Sequence, residues 1–95
     1  ACLASRFPYG TRITKEKLNQ VAQCEDALRR LGFVQFRARY HGDVVRIEVE
    51  QKEMARMLQK DIQGEIAASC KAAGFTYVAL DLEGYRTGSM NETLR

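Results

Sequence analysis

Apolar residues alternate with polar ones through the middle of the chain. They fall at Val34, Phe36, Ala38 and Tyr40, and again at Val45, Ile47 and Val49. A period of two marks a strand with one buried face, so the stretch from Phe33 to Glu50 predicts a β-hairpin. Gly42-Asp43 lies between the arms, and glycine at the first central position suits a two-residue type II′ turn. That loop sets the register: Tyr40 opposite Val45, Ala38 opposite Ile47, Phe36 opposite Val49. Every apolar residue then meets another, and a slip by one residue would destroy the match.

The same register sends the polar residues to the other face. Arg37 falls opposite Glu48, and Arg39 opposite Arg46. The Arg37–Glu48 pair is mildly stabilising, on the order of 0.2–1 kcal/mol, whereas two facing arginines are not. Two readings follow. Either the face is solvated and the arginines splay into water, or it holds an anion such as a phosphate or carboxylate, which the guanidinium fork suits. With Glu48 paired only to Arg37, the face carries a local excess of positive charge.

A helical period brackets the hairpin. Ile13 to Leu31 predicts a first helix, with Thr14 as N-cap, Ile13 and Leu18 as a hydrophobic staple, and Leu18, Val21, Leu28 and Leu31 as the buried stripe. Gly32 stands where a left-handed C-cap belongs, with Phe33 folding back on the last turn. Glu25 lies on or beside the stripe, an expensive place for a carboxylate. It either reaches water at the stripe's edge or is held towards Arg6 or a substrate. Cys24 reads as a small core residue. After the hairpin, Gln51 to Ala73 predicts helix, with a break near Lys60-Asp61. Its apolar face is Met54, Met57, Leu58, Ile62, Ile66 and Cys70, and Gly64 weakens its middle by about 1 kcal/mol. Ala73-Gly74-Phe75 repeats the ending Leu31-Gly32-Phe33. A third strand, Thr76 to Leu82, follows. The order α-β-β-α-β predicts an α+β, two-layer sandwich. It would be a ferredoxin-like half with a three-stranded sheet, helices on one face, and Arg37, Arg39, Arg46, Glu48 and Asp81 on the other.

The bulk numbers narrow the partners. Ninety-five residues with 45% hydrophobic and 28% charged content suit one small folded domain, here residues 13–91, with a loop over 1–12 and a tail over 92–95. The net charge of +3 is too small and dispersed to argue for nucleic acid. No apolar run approaches the roughly 18 residues that cross a membrane. Three cysteines without paired spacing form no disulfide framework, which favours a reduced, cytoplasmic setting. The chain begins at Ala1 without Met, inside a loop, and this suggests a piece of a longer protein.

Two loop segments carry chemistry. Ala1 to Thr11, punctuated by Pro8 and Gly10, holds a thiol (Cys2), a hydroxyl (Ser5) and a guanidinium (Arg6). Glu83 to Asn91 places Arg86 between Gly84 and Gly88, which permits close backbone approach to an anion; it is neither a Walker loop nor a dinucleotide fingerprint. The first segment, Cys2-Leu3-Ala4-Ser5-Arg6-Phe7-Pro8-Tyr9-Gly10-Thr11, resembles the LarE family of ATP-dependent sacrificial sulfur transferases, which help build a nickel-pincer cofactor. The resemblance continues through Leu31-Gly32-Phe33, Arg37-Ala38-Arg39, His41-Gly42-Asp43 and Arg46-Ile47-Glu48, and ends at Leu80 to Asn91. It is poorest over Gln51 to Ala73.

The resemblance implies more than the residues do. In that family an N-terminal PP-loop domain binds ATP with magnesium and adenylates a substrate carboxylate. Its Ser-Gly-Gly-x-Asp-Ser signature is absent from this sequence. The chain is therefore similar to the C-terminal domain alone, with no cofactor of its own. The implied catalytic residues are Cys2 as sulfur donor, with Ser5 and Arg6. The implied substrate contacts are Glu25, Arg37, Arg39, Arg46, Glu48 and Arg86, and no metal ligands are implied. The implied partners are the PP-loop domain of the same protein, a small anionic substrate and further copies in a homo-oligomer. The alternative is a noncatalytic oligomerisation or RNA-contacting module appended to a PP-loop ATPase such as a tRNA thiolase.

Overall fold

The structure is a computed structural model that describes residues 6–85. Its elements run α1 (Lys15–Arg30), β1 (Phe36–His41), β2 (Val44–Val49), a single 3₁₀ turn (Gln51–Glu53), α2 (Met54–Met57), α3 (Lys60–Ala73) and β3 (Tyr77–Leu80). The class is α+β with a three-stranded mixed sheet in the order β1-β2-β3.

The hairpin has the register set by its alternation. Phe36 faces Val49, Ala38 faces Ile47, Tyr40 faces Val45 and Arg39 faces Arg46. Gly42 takes the turn at φ +68° and Asp43 does not follow it into the left-handed region, as a type II′ turn requires. The strand begins later than the alternation, because Val34 lies outside it and is largely exposed.

The remainder of the sheet departs from the ferredoxin-like expectation. β3 runs parallel to β2 and directly beside it, pairing Val45 with Val78 and Ile47 with Leu80. A ferredoxin-like sheet would hold these two strands apart with a strand between them. Here that strand is missing, so the crossover closes onto the immediate neighbour. β3 is also shorter than its alternation, ending at Leu80. The long second helix is divided. Leu58 and Gln59 interrupt it, and a 3₁₀ turn and the four-residue α2 precede α3.

Both helix endings are built alike. The amide of Phe33 donates to the Leu28 carbonyl and that of Gly32 to Arg29; Phe75 and Gly74 do the same to Cys70 and Lys71. This is the Schellman pattern, and in each case the phenylalanine after the glycine is buried. Thr14 caps α1, its hydroxyl accepting from the Lys17 amide at 3.2 Å. Ile13 is 43% exposed.

The core lies between the helices and one sheet face. Val21, Cys24 and Leu28 of α1 and Ile66 and Cys70 of α3 pack with Ala38, Val45, Ile47 and Val49. Phe7 joins them from the N-terminal loop. Its ring lies 5.2 Å from that of Tyr40, which meets Phe75 edge-on at 5.9 Å. This aromatic file pins the loop to the body of the fold.

Candidate functional site

The N-terminal loop is held a second time, by charge. Arg6 Nε lies 2.7 Å from Glu25 Oε2, and the same oxygen accepts from the Ala38 amide at 3.0 Å. Among the described residues β1 is an edge strand, so the Ala38 amide meets no neighbouring strand of these residues on that side. Glu25 therefore does two jobs. It satisfies a buried edge donor and fixes the guanidinium that follows Ser5. Of its two sequence readings, the one that turns it towards Arg6 holds, and the edge-of-stripe exposure to water does not, since Glu25 is buried.

The opposite sheet face is not the solvated surface that alternation alone allows. Arg39 is 1% exposed and Glu48 is wholly buried. Glu48 also takes different partners from those expected. Its Oε1 lies 3.2 Å from Arg39 and its Oε2 lies 3.2 Å from Arg46. The carboxylate thus bridges the two facing arginines. A cross-strand diagonal and a two-residue step along β2 bring both within reach. Arg46 Nε also approaches Asp81 Oδ2 at 3.5 Å. Three arginines here meet two carboxylates, so the cationic excess is smaller than the alternation implies.

Arg37 is instead engaged by Tyr85. Its Nη2 lies 3.1 Å from the Tyr85 hydroxyl, and its guanidinium sits 5.4 Å from the ring centroid. The chain reaches this position through a tight return after β3, where the Tyr85 amide donates to the Val49 carbonyl at 2.8 Å. Gly84 makes the return possible. It sits at φ +83°, and a Cβ there would meet the Val49 carbonyl oxygen at 2.8 Å.

β1 therefore gathers the predicted residues. Arg37 and Arg39 flank Ala38, whose amide binds the Glu25 carboxylate that holds Arg6. Cys2, Ser5 and Arg86 lie outside the described residues. Sequence reasoning missed Tyr85, although the Gly84-Tyr85 pair stood inside a segment already singled out. It also passed over His41, which ends β1 two residues after Arg39. The His41 imidazole is held below its ordinary range by burial first, then by Arg46 and Arg39.

The remaining cysteines are structural. Cys24 and Cys70 are fully buried where α1 meets α3, and their thiols hydrogen-bond to each other. That bond and burial push the Cys24 thiol far up, so it stays protonated. Among the described residues no three His, Cys, Asp or Glu side chains gather as metal ligands. No helix among them is long and apolar enough to cross a membrane.

No protein-family model matches the chain. It is 45% identical over 93 residues to the uncharacterized protein slr1717 of Synechocystis sp., a match covering 98% of this chain and 35% of that protein. It is 41% identical over 92 residues to the pyridinium-3,5-bisthiocarboxylic acid mononucleotide synthase of Lactiplantibacillus plantarum, covering 97% of this chain and 33% of the synthase. The chain thus spans about a third of the length of the curated relatives it matches, and over nearly its whole length it is related to a segment of that synthase.

Proposed function

We propose that this chain is the C-terminal, substrate-binding and oligomerisation domain of an ATP-dependent PP-loop sulfur transferase of the LarE type. In this reading the Cys2 thiolate attacks an adenylated carboxylate and expels AMP, and loss of the Cys2 α-proton with cleavage of its Cβ–Sγ bond then releases the product thiocarboxylate and leaves dehydroalanine in the chain, during nickel-pincer cofactor biosynthesis. The observation that carries it is the Arg6–Glu25–Ala38 connection. It ties the Cys-Leu-Ala-Ser-Arg segment to the strand that bears Arg37 and Arg39, so a donor segment and an anion-recognising face share one element. The 41% identity to a synthase of a bisthiocarboxylic acid mononucleotide supports the same reading.

The roles divide by position. Arg46, 24% exposed on its side chain, meets an entering anionic substrate, with the Arg39–Glu48 pair fixed behind it. Arg37 and Tyr85 form the adjoining wall, and Arg86, the next residue in sequence, is assigned to substrate binding by the resemblance alone. Arg6 and Ser5 orient the segment that carries Cys2. The exposed face of β3, with Tyr77 and Ala79, offers a surface to further copies. In this reading ATP and magnesium are bound by a portion of the longer protein outside this chain, in the cytoplasm.

The test uses the longer protein with ATP and a carboxylate substrate. Cys2→Ser abolishes sulfur incorporation while ATP consumption continues. Undiminished incorporation would remove Cys2 from the donor role. Stoichiometric, tight ATP binding to this chain alone would overturn the division of labour.

A further inference from the structure

His41 is the chain's one histidine, and it ends β1 on the face shared with Arg39 and Arg46. Its Nε2 is buried and has no hydrogen-bond partner among the described residues. A buried nitrogen left this way keeps its desolvation penalty, so the position is better satisfied when something occupies the space beside it. The surrounding charges say what that is. Arg39 lies two residues back on β1, Arg46 and Glu48 stand on β2, and Tyr77 and Asp81 come from β3 and its exit. Glu48 and Asp81 pair with these arginines, but Arg46 and Arg39 each act on the imidazole more strongly than Glu48 does, which favours an oxyanion over a cation beside it.

We propose that His41 is a proton-linked ligand of the anion-binding face: an entering dianionic oxyanion, such as a phosphoryl group, draws a proton onto its imidazole and is then held by His41 together with Arg46. This rests on the reading of that face as an anion site and adds a residue and a pH dependence to it. Without an anion, burial and the two arginines keep the imidazole neutral at near-neutral pH. A dianion reverses the local field, and protonation gives the ring a second donor. Binding and protonation then assist each other, because linkage is reciprocal. Affinity is greatest at acid pH and is lost as pH rises through the value the imidazole takes in the complex.

Sulfate is the suitable probe, because it stays dianionic across the range in which histidine titrates. Calorimetry of this chain with sulfate between about pH 5.5 and 8 should show affinity falling by up to about tenfold per pH unit, as one linked proton requires. Proton uptake should appear as a dependence of the heat on buffer. In proton NMR the single imidazole signal should titrate at higher pH with sulfate than without. His41→Gln should bind sulfate with a flat profile, and Arg46→Gln should lose binding at every pH. Sulfate binding that is independent of pH, with an unmoved imidazole titration, would overturn the role of His41 and leave the anion site standing. No sulfate binding at any pH would overturn both.

Discussion

Replacing Arg39 with alanine separates a buried ion pair from a surface charge. Arg39 is 1% exposed, and its partner Glu48 is wholly buried at 3.2 Å. Removing one member of a buried pair typically costs about 3–5 kcal/mol, because the remaining charge loses its compensation. Arg46 still reaches the other oxygen of Glu48, so the lower end, about 3 kcal/mol, applies here. In a domain of this size each kcal/mol moves the melting temperature by about 4–8 °C, which makes the expected drop roughly 12–24 °C. Arg46→Ala removes a partly exposed charge at the same distance and should cost about 1 kcal/mol. The pair Arg39→Met with Glu48→Leu removes both charges together and should recover more than half of the loss. Thermal and urea unfolding followed by circular dichroism measure all three. A drop for Arg39→Ala no larger than that for Arg46→Ala would refute the buried pair as a source of stability. So would a double variant no better than the single one.

Other expectations follow from single contacts. Glu25→Ala leaves the Ala38 edge amide without its acceptor and should cost about 2–3 kcal/mol in urea unfolding, while Glu25→Gln, whose amide oxygen still accepts, should cost about half of that. Gly84→Ala forces a side chain against the Val49 carbonyl at a left-handed position and should destabilise by about 1–3 kcal/mol, releasing Tyr85 from Arg37. Tyrosine fluorescence and melting temperature together report it. Cys24 and Cys70, buried and hydrogen-bonded to each other, should resist alkylation in the folded protein, whereas Cys2 should react at least tenfold faster, as judged by peptide mass mapping. Equal rates for all three would show that the α1–α3 interface opens readily.

Local patterns were legible in the sequence, and long-range partners were not. The hairpin register, the Thr14 cap and both glycine–phenylalanine endings follow from residues close together in the chain, where period and turn chemistry decide the outcome. The break at Leu58-Gln59 was legible as an interruption near Lys60. The neighbour of β3 was not. Alternation gives a strand its faces but does not say which edge it joins, so the parallel β2–β3 pairing was hidden. The arginine face failed for a similar reason. Period two correctly set Arg37, Arg39, Arg46 and Glu48 on one side, but it cannot tell water from protein above them. Nor can directly opposite pairing anticipate that Glu48 reaches diagonally to Arg39. Glu25 was legible as an anomaly, a carboxylate on an apolar stripe, and its explanation needed an edge amide supplied by a strand 13 residues away.

On the proposed function, the segment held by Arg6 and Glu25 delivers sulfur from Cys2. The most direct measurement uses the longer protein prepared with isotopically labelled cysteine sulfur. It follows that label into product while mapping the peptide that contains Cys2. Labelled product should appear in step with loss of sulfur from Cys2, with Cys24 and Cys70 intact, and both signals should be lost in Glu25→Ala. Labelled product formed while the Cys2 peptide keeps its sulfur would contradict the donor role of Cys2.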